Sequence, residues 1–198
     1  MTLTLRDKRR HMTTRDIQQA TLKLAVENGL DAVTTEAIAD AAGVSTRTFF
    51  NYFPNKESAA IGIPPGFDPA DKAALCEGRG ALASDIKTFL DKHMTSLAQD
   101  DATLRMVRDV IRHNIKANSV LEQFHVAERE ELTECLNQRV DDAHIAMALA
   151  SNAVSCTSRA IQLWEETPGI SLTEALDIVW QGQIAAARLL TDAERLAP

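Results

Sequence analysis

The chain has 198 residues, 45% of them apolar and 25% charged, with a formal net charge of −7. That length and apolar share allow one large or two small globular units with cores of their own. No run approaches eighteen uninterrupted apolar residues, and the charged N-terminus is followed by no apolar stretch. Neither a membrane span nor a signal peptide is expected, and the location expected is cytoplasmic.

Alternating apolar and polar residues are scarce, there is a single Tyr, and β-branched residues are scattered among Ala, Leu and Glu, so the chain reads as all-α. The acidic balance is unevenly spread. Residues 1–60 carry eight Lys/Arg against seven Asp/Glu, and the remainder carries 13 against 21. A surface in the first third can therefore meet a polyanion while the acidic body resists lying along it. Cys76, Cys135 and Cys156 are far apart and form no C-x-x-C pair, which predicts reduced thiols in a reducing compartment, a redox sensor being the lesser alternative.

Residues 1–12 (MTLTLRDKRRHM) show no apolar period and read as a solvated tail; the basic cluster Lys8, Arg9, Arg10 also suits an arm that reaches phosphates. Thr13 with Asp16 predicts the cap of a first helix, whose Ile17, Ala20, Thr21, Leu24 and Ala25 mark one face ending at Asn28-Gly29. Arg15 lies in its opening turn, placed for a backbone phosphate. Thr34 caps a short second helix with Ile38, Ala39 and Ala42 on its apolar side. Gly43 ends it in a left-handed turn.

Ser45 caps the next helix, with Phe49 and Phe53 four apart on the buried side and Thr46, Arg47, Thr48 and Asn51 facing outward. Hydroxyls, an amide and a guanidinium are what base edges and phosphates require. Pro54 stops this helix. Asn55 caps another that opens with Lys56, so that free N–H groups and an ammonium converge on a spot suited to a phosphate.

The run from Ala42 to Glu57, AGVSTRTFFNYFPNKE, resembles the signature of the TetR family of transcriptional regulators, and the likeness extends back through Ile17, Ala20, Leu24, Gly29 and Thr34. The resemblance implies a homodimeric repressor with its third helix in the major groove and an inducer held by a larger C-terminal domain. It implies that Thr34, Thr48, Tyr52 and Lys56 meet phosphates and that Arg47 and Asn51 read bases, beside Arg15, Ser45 and Thr46. Phe50 stands where the family often has a tyrosine, so the phenolic bond to phosphate is missing there.

Gly62, Pro64, Pro65, Gly66 and Pro69 exclude a continuous helix, which divides the chain into residues 1–61, a hinge at 62–70, and a domain at 71–198. Beyond it, Ile86, Phe89, Leu90, His93, Met94 and Leu97 form one helical stripe, and Leu104, Val107, Ile111 and Ile115 the next. Ser119 with Glu122 predicts the cap of a helix reaching about Val140. A further helix lies in 144–164, and Ser171 with Glu174 caps the last. Ala146, Ala150, Ala153, Gly182, Ala185 and Ala186 allow close backbone approach, so these last two helices are the candidate dimer interface; the plain alternative is core.

The five histidines show no H-x-x-x-H or H-E-x-x-H spacing, and there is neither a phosphate loop nor a nucleophile elbow, so no metal, cofactor or enzymatic activity is expected. Polar and soft groups among the middle stripes, His93, Met94, Met106, Arg108, Arg112, His113, Phe124, His125 and Asn152, suggest an effector pocket. The run 159–180, RAIQLWEETPGISLTEALDIVW, resembles the mycofactocin-regulator branch of the same family, associated with acyl-CoA ligands. That likeness implies that Arg105, Arg108, Arg112 or Lys116 meets an anionic head. The reading of the whole is a ligand-responsive homodimeric repressor on a palindromic operator. Its alternative is a helical dimeric metabolite-sensing module that does not bind DNA.

Overall fold

The computed structural model describes residues 4–194. Among these it contains ten α-helices, two 3-10 turns and no strand. They form two compact units: residues up to 64 together with 100–124, and residues 65–99 together with 125 onward.

The first unit is built around α1 (Leu5–Asn28). This helix starts two turns earlier than Thr13 and Asp16 suggest. Thr4 and Asp7 form a reciprocal capping box, Asp7 N–H donating to Thr4 Oγ1 at 3.2 Å and Thr4 N–H to Asp7 Oδ2 at 3.1 Å. No Gly or Pro interrupts the chain from there to Gly29, so the earlier cap wins and residues 5–12 are helix rather than tail. The first three residues of the expected arm lie outside the described residues.

α1 is buried on two sides. Ile17 and Ala20 join Val33, Ile38, Phe49 and Phe53 in one cluster, and Leu22 and Ala25 join Ile61, Val107, Val110, Ile111 and Ala117 in another. Between them Thr21 is buried, its hydroxyl donating to the Ile17 carbonyl at 2.8 Å. A single apolar face therefore describes α1 incompletely; Leu22, outside that face, is fully buried.

Three short helices follow, each with a side-chain cap: α2 (Thr35–Ala41) by Thr34, α3 (Thr46–Tyr52) by Ser45, α4 (Lys56–Ile61) by Asn55. Gly43 turns the chain between α2 and α3 at φ 68°, a region that a Cβ disfavours. Gly62, at φ 71°, ends α4 beneath Gln18, whose amide donates to the Ile61 carbonyl at 2.9 Å. A Cβ at Gly62 would lie 2.3 Å from the movable amide end of Gln18, and the positive φ favours glycine there whatever Gln18 does.

The segment 100–124, assigned with the C-terminal residues when the chain is divided at 62–70, clusters with the first unit instead. α7 (Asp101–His113) lays Val107, Val110 and Ile111 against the α1 cluster, which outweighs its place in the chain order. α8 (Ile115–Leu136) starts here and ends in the second unit. Its N-terminus is held by Asn114, whose Oδ1 accepts from Ala117 N–H at 2.8 Å. Ser119 lies inside the helix and donates to the Ile115 carbonyl, so it is not the cap its spacing from Glu122 suggests. Ile115 is 82% exposed and belongs to no stripe.

The second unit contains α5 (Pro69–Glu77), α6 (Leu82–Leu97), the end of α8, α9 (Ala143–Glu166) and α10 (Leu172–Glu194). α5 is capped by Asp68 with Pro at its first position. α9 buries Ala146, Ala150, Ala153, Val154 and Ala160, and α10 buries Leu172, Ala175 and Leu176. Gly169 at φ 91° makes the turn between them, and Ser171 and Glu174 form the predicted box, Glu174 N–H donating to Ser171 Oγ at 3.1 Å.

The cysteines depart from expectation. Cys76 of α5 and Cys135 of α8 are joined in a disulfide across a separation of 59 residues, while Cys156 is a buried free thiol. The absence of a close-spaced pair did not exclude a pairing made by helix packing. Arg139 reinforces the same junction, donating to the Leu75 carbonyl at 2.7 Å and to Asp85 Oδ2 at 2.9 Å.

Candidate nucleic-acid interface and ligand cavity

The sequence of α3 sorts its side chains into an underside and an outer face. Phe49 is 0% and Phe53 4% exposed, their ring centroids 6.3 Å apart, and they wedge the helix onto Ile17, Ile38 and Ala59. Arg47 and Asn51 point to solvent and have no hydrogen bond or ion pair among the described residues. Thr46 and Thr48 are half-buried beside them. Ser45 accepts from Thr48 N–H at 3.0 Å, and the two hydroxyls lie 2.8 Å apart, so both oxygens are held at the start of the helix.

Phe50 is 52% exposed and stands edge-on to Phe49 at 5.3 Å. A benzyl group left outward on a polar face cannot bond a phosphate but can cover an apolar ligand atom. Tyr52 is half-buried, and the Arg10 guanidinium lies 5.9 Å from its ring centroid. The early start of α1 thus brings a cation of the expected arm beside α3, which no local spacing showed.

Arg15 is occupied by Asp100, at 2.7 Å, in an exposed pair. Thr34 is exposed, its oxygen accepting from Ala37 N–H at 3.2 Å. Lys56 is placed differently from its sequence reading. Its ammonium donates to the carbonyls of Asp31 at 3.0 Å and Val33 at 2.9 Å, which ties α4 to the 3-10 turn at 30–32. Two of its three hydrogens are engaged inside the protein.

The residues proposed for an effector pocket are divided between the two units. His93, Met94 and Asn152 belong to the second unit; Met106, Arg108, Arg112, His113 and Phe124 belong to the first. Met94 is fully buried, Met106 and Phe124 pack on the α1–α7 cluster, Arg112 and Asn152 are exposed, and His113 Nδ1 lies 2.9 Å from its own helix's Asp109 carbonyl. Of this set His93 borders a cavity of about 440 Å³ within the second unit. Its walls include Phe67, Phe89, Asp68, Asp71 and Lys92. Phe67 lies in the stretch read as hinge, so spacing along helical stripes could not have found it.

Burial pushes His93 down to about 4, leaving the ring neutral near pH 7. On α8, burial, with the Glu131 charge alongside, pushes Glu128 up to about 7, partly offset by Arg129. Among the described residues no group of three or more His, Cys, Asp or Glu could hold a metal ion, and no helix is long and apolar enough to cross a membrane.

Residues 17–58 match the family model described as bacterial regulatory proteins, tetR family. Two uncharacterized HTH-type transcriptional regulators, from Mycobacterium tuberculosis and Mycobacterium bovis, are each 26% identical over 155 residues, covering 78% of this chain and 71% of the relative. Among solved structures, a protein of Syntrophomonas wolfei described as a TetR-family transcriptional regulator superposes with a TM-score of 0.62 at 18% identity, covering 88% of this chain and 94% of that one. One from Mesorhizobium loti, similarly described, gives 0.50 at 16% identity, covering 90% and 98%.

Proposed function

The chain belongs to the TetR family of bacterial transcriptional regulators, and on that premise we propose that it is a ligand-responsive homodimeric repressor that reads a palindromic operator through α3. The observation that carries the reading is the partnerless outer face, Arg47 and Asn51, over a rigid aromatic underside. In a major groove these two side chains supply a guanidinium for guanine and an amide for adenine, and Phe50 supplies an apolar edge for a thymine methyl. Thr34, Ser45, Thr46, Thr48 and Tyr52 take phosphates. Arg15 does so by leaving its exposed carboxylate, an exchange that costs little because solvated ion pairs are weak. The remaining hydrogen of Lys56 serves the same strand.

A single α3 makes few phosphate contacts, so affinity and a palindromic site both require two copies. α10 carries the surface for this. Ile178 and Leu189 are exposed at 57% and 72%, and with Gly182 and Ala185 they form an uncovered stripe at helical spacing beside Ala186 and Leu190. Two such stripes, joined by the outer side of α9, form a four-helix contact. An effector in the second unit changes the separation of the two α3 helices, which must match roughly 34–36 Å or a multiple of it. The protein acts in the cytoplasm, without enzymatic turnover.

Selection of bound duplexes from a randomised pool tests this. It should return an inverted repeat, and the double variant Ile178→Glu, Leu189→Glu, monomeric by sedimentation, should return no spaced repeat. A pool that yields no enriched motif with the parent protein would contradict the reading.

A further inference from the structure

We propose that the cavity bounded by Phe67, Phe89 and His93 is the effector site and that it takes a small uncharged aromatic molecule bearing a hydroxyl or N–H group. The proposal rests on the reading of the chain as ligand-responsive. Three features of the second unit carry it.

The first is the wall. The Phe67 and Phe89 rings lie 4.8 Å apart at 56°, and the His93 imidazole meets Phe67 at 5.0 Å and 65°. Three ring planes on one cavity suit a flat apolar ligand that stacks on one and meets another edge-on. The volume of about 440 Å³ is enough for one or two rings.

The second feature is an unused polar group. His93 is only 9% exposed, borders the cavity, and makes no hydrogen bond among the described residues. No side-chain nitrogen or oxygen among the described residues is both buried and without a partner, so a His93 ring nitrogen that no protein group bonds is one that solvent or a ligand can reach. Neutral imidazole presents one N–H and one lone pair, which a phenolic hydroxyl or an indole-type N–H can answer.

The third is charge. Asp68 and Asp71 line the cavity against Lys92 alone, and the Lys92 ammonium is already paired with Asp71. Asp68 accepts from the N–H groups of Ala70 and Asp71 to cap α5. An anionic ligand would meet a net negative lining, so a thioester of a nucleotide-bearing carrier, or any carboxylate, is disfavoured here.

The test uses phenol and benzoate as probes, with saturation-transfer NMR on the full chain and titration of the His93 ring signals. Phenol should bind and move those signals, and benzoate should bind at least about tenfold more weakly, a gap of about 1.4 kcal/mol. Gly66→Phe is the control. Gly66 lines the cavity, and nothing lies within 4 Å of where its Cβ would stand, so a side chain can be added there without a clash at its Cβ; native tryptophan emission checks that the variant is folded. It should reduce phenol binding about tenfold or more. The proposal is overturned if phenol does not bind, if benzoate binds equally well, or if Gly66→Phe binds phenol like the parent. DNA binding measured separately by anisotropy tells a failure of this site from a failure of the regulator reading.

Discussion

The helix-turn-helix unit holds Phe49 and Phe53 inside and Arg47 and Asn51 outside, with no crosslink among its described residues. The second unit buries an imidazole and half-buries a carboxyl group, both with titrations displaced far from their ordinary values, and it is tied by a disulfide. The first arrangement presents one fixed surface. The second holds groups whose state depends on pH and reductant. Recognition and response are therefore assigned to different cores, and perturbations should separate them. Both tryptophans, Trp164 and Trp180, lie in the second unit, so their emission follows that unit while DNA binding follows the first.

The largest effect expected is from Phe49→Ala. Removing a fully buried ring costs about 3–5 kcal/mol, and Phe49 is the wedge beneath α3. DNA binding should be lost while tryptophan emission in water stays native. Loss of both signals together would mean the units are not separable.

Next comes the crosslink. Closing a loop of 59 residues restricts the unfolded chain by about 4 kcal/mol in the entropic account, with 2–4 usual in practice. Reduction, or Cys76→Ser, should lower the denaturation midpoint read by tryptophan by a corresponding amount. If reductant leaves that midpoint unchanged, the bond does not form in the protein.

Smaller still is the response to pH. His93 is held well below its ordinary value of 6.5 at about 4, so the stability tied to its neutral form is complete above pH 6.5 and is lost as pH falls through 4. Glu128 is raised from 4.5 to about 7, so its contribution is complete below pH 4.5 and is lost as pH rises through 7. The two slopes oppose each other between these limits. Glu128→Gln removes the second, and relative to the parent it should gain about 1–2 kcal/mol on going from pH 5 to pH 8. Equal midpoints for variant and parent at both pH values would show that the carboxyl is not effectively buried.

Much of the first unit was legible because its signals are local. Thr34, Gly43, Ser45 and Asn55 each act within three or four residues, and the Phe49–Phe53 spacing fixes which side of α3 is buried. Where two local signals competed, the sequence was ambiguous. Thr4 with Asp7 precedes Thr13 with Asp16 on one uninterrupted helix, and Ser119 with Glu122 repeats a cap pattern inside α8, after Asn114 has already supplied the cap. α5 was obscured because the Pro-Gly cluster that breaks the chain also contains Asp68 and Pro69, a good helix start.

What depended on packing between distant segments left no local trace. The disulfide, the binding of Lys56 to the carbonyls of Asp31 and Val33, the Arg15–Asp100 pair, and the burial of α7 against α1 all join residues far apart in the chain. The cavity combines a ring from the hinge with two from α6, and a search along helical stripes passes over the first.

The central claim is that the outer face of α3 reads DNA, and fluorescence anisotropy with a selected duplex and a scrambled one tests it most directly. Arg47→Ala, at an exposed position that leaves the core untouched, should narrow the gap between the two duplexes by about 1–3 kcal/mol. A folded Arg47→Ala protein that still discriminates between them as the parent does would contradict the account.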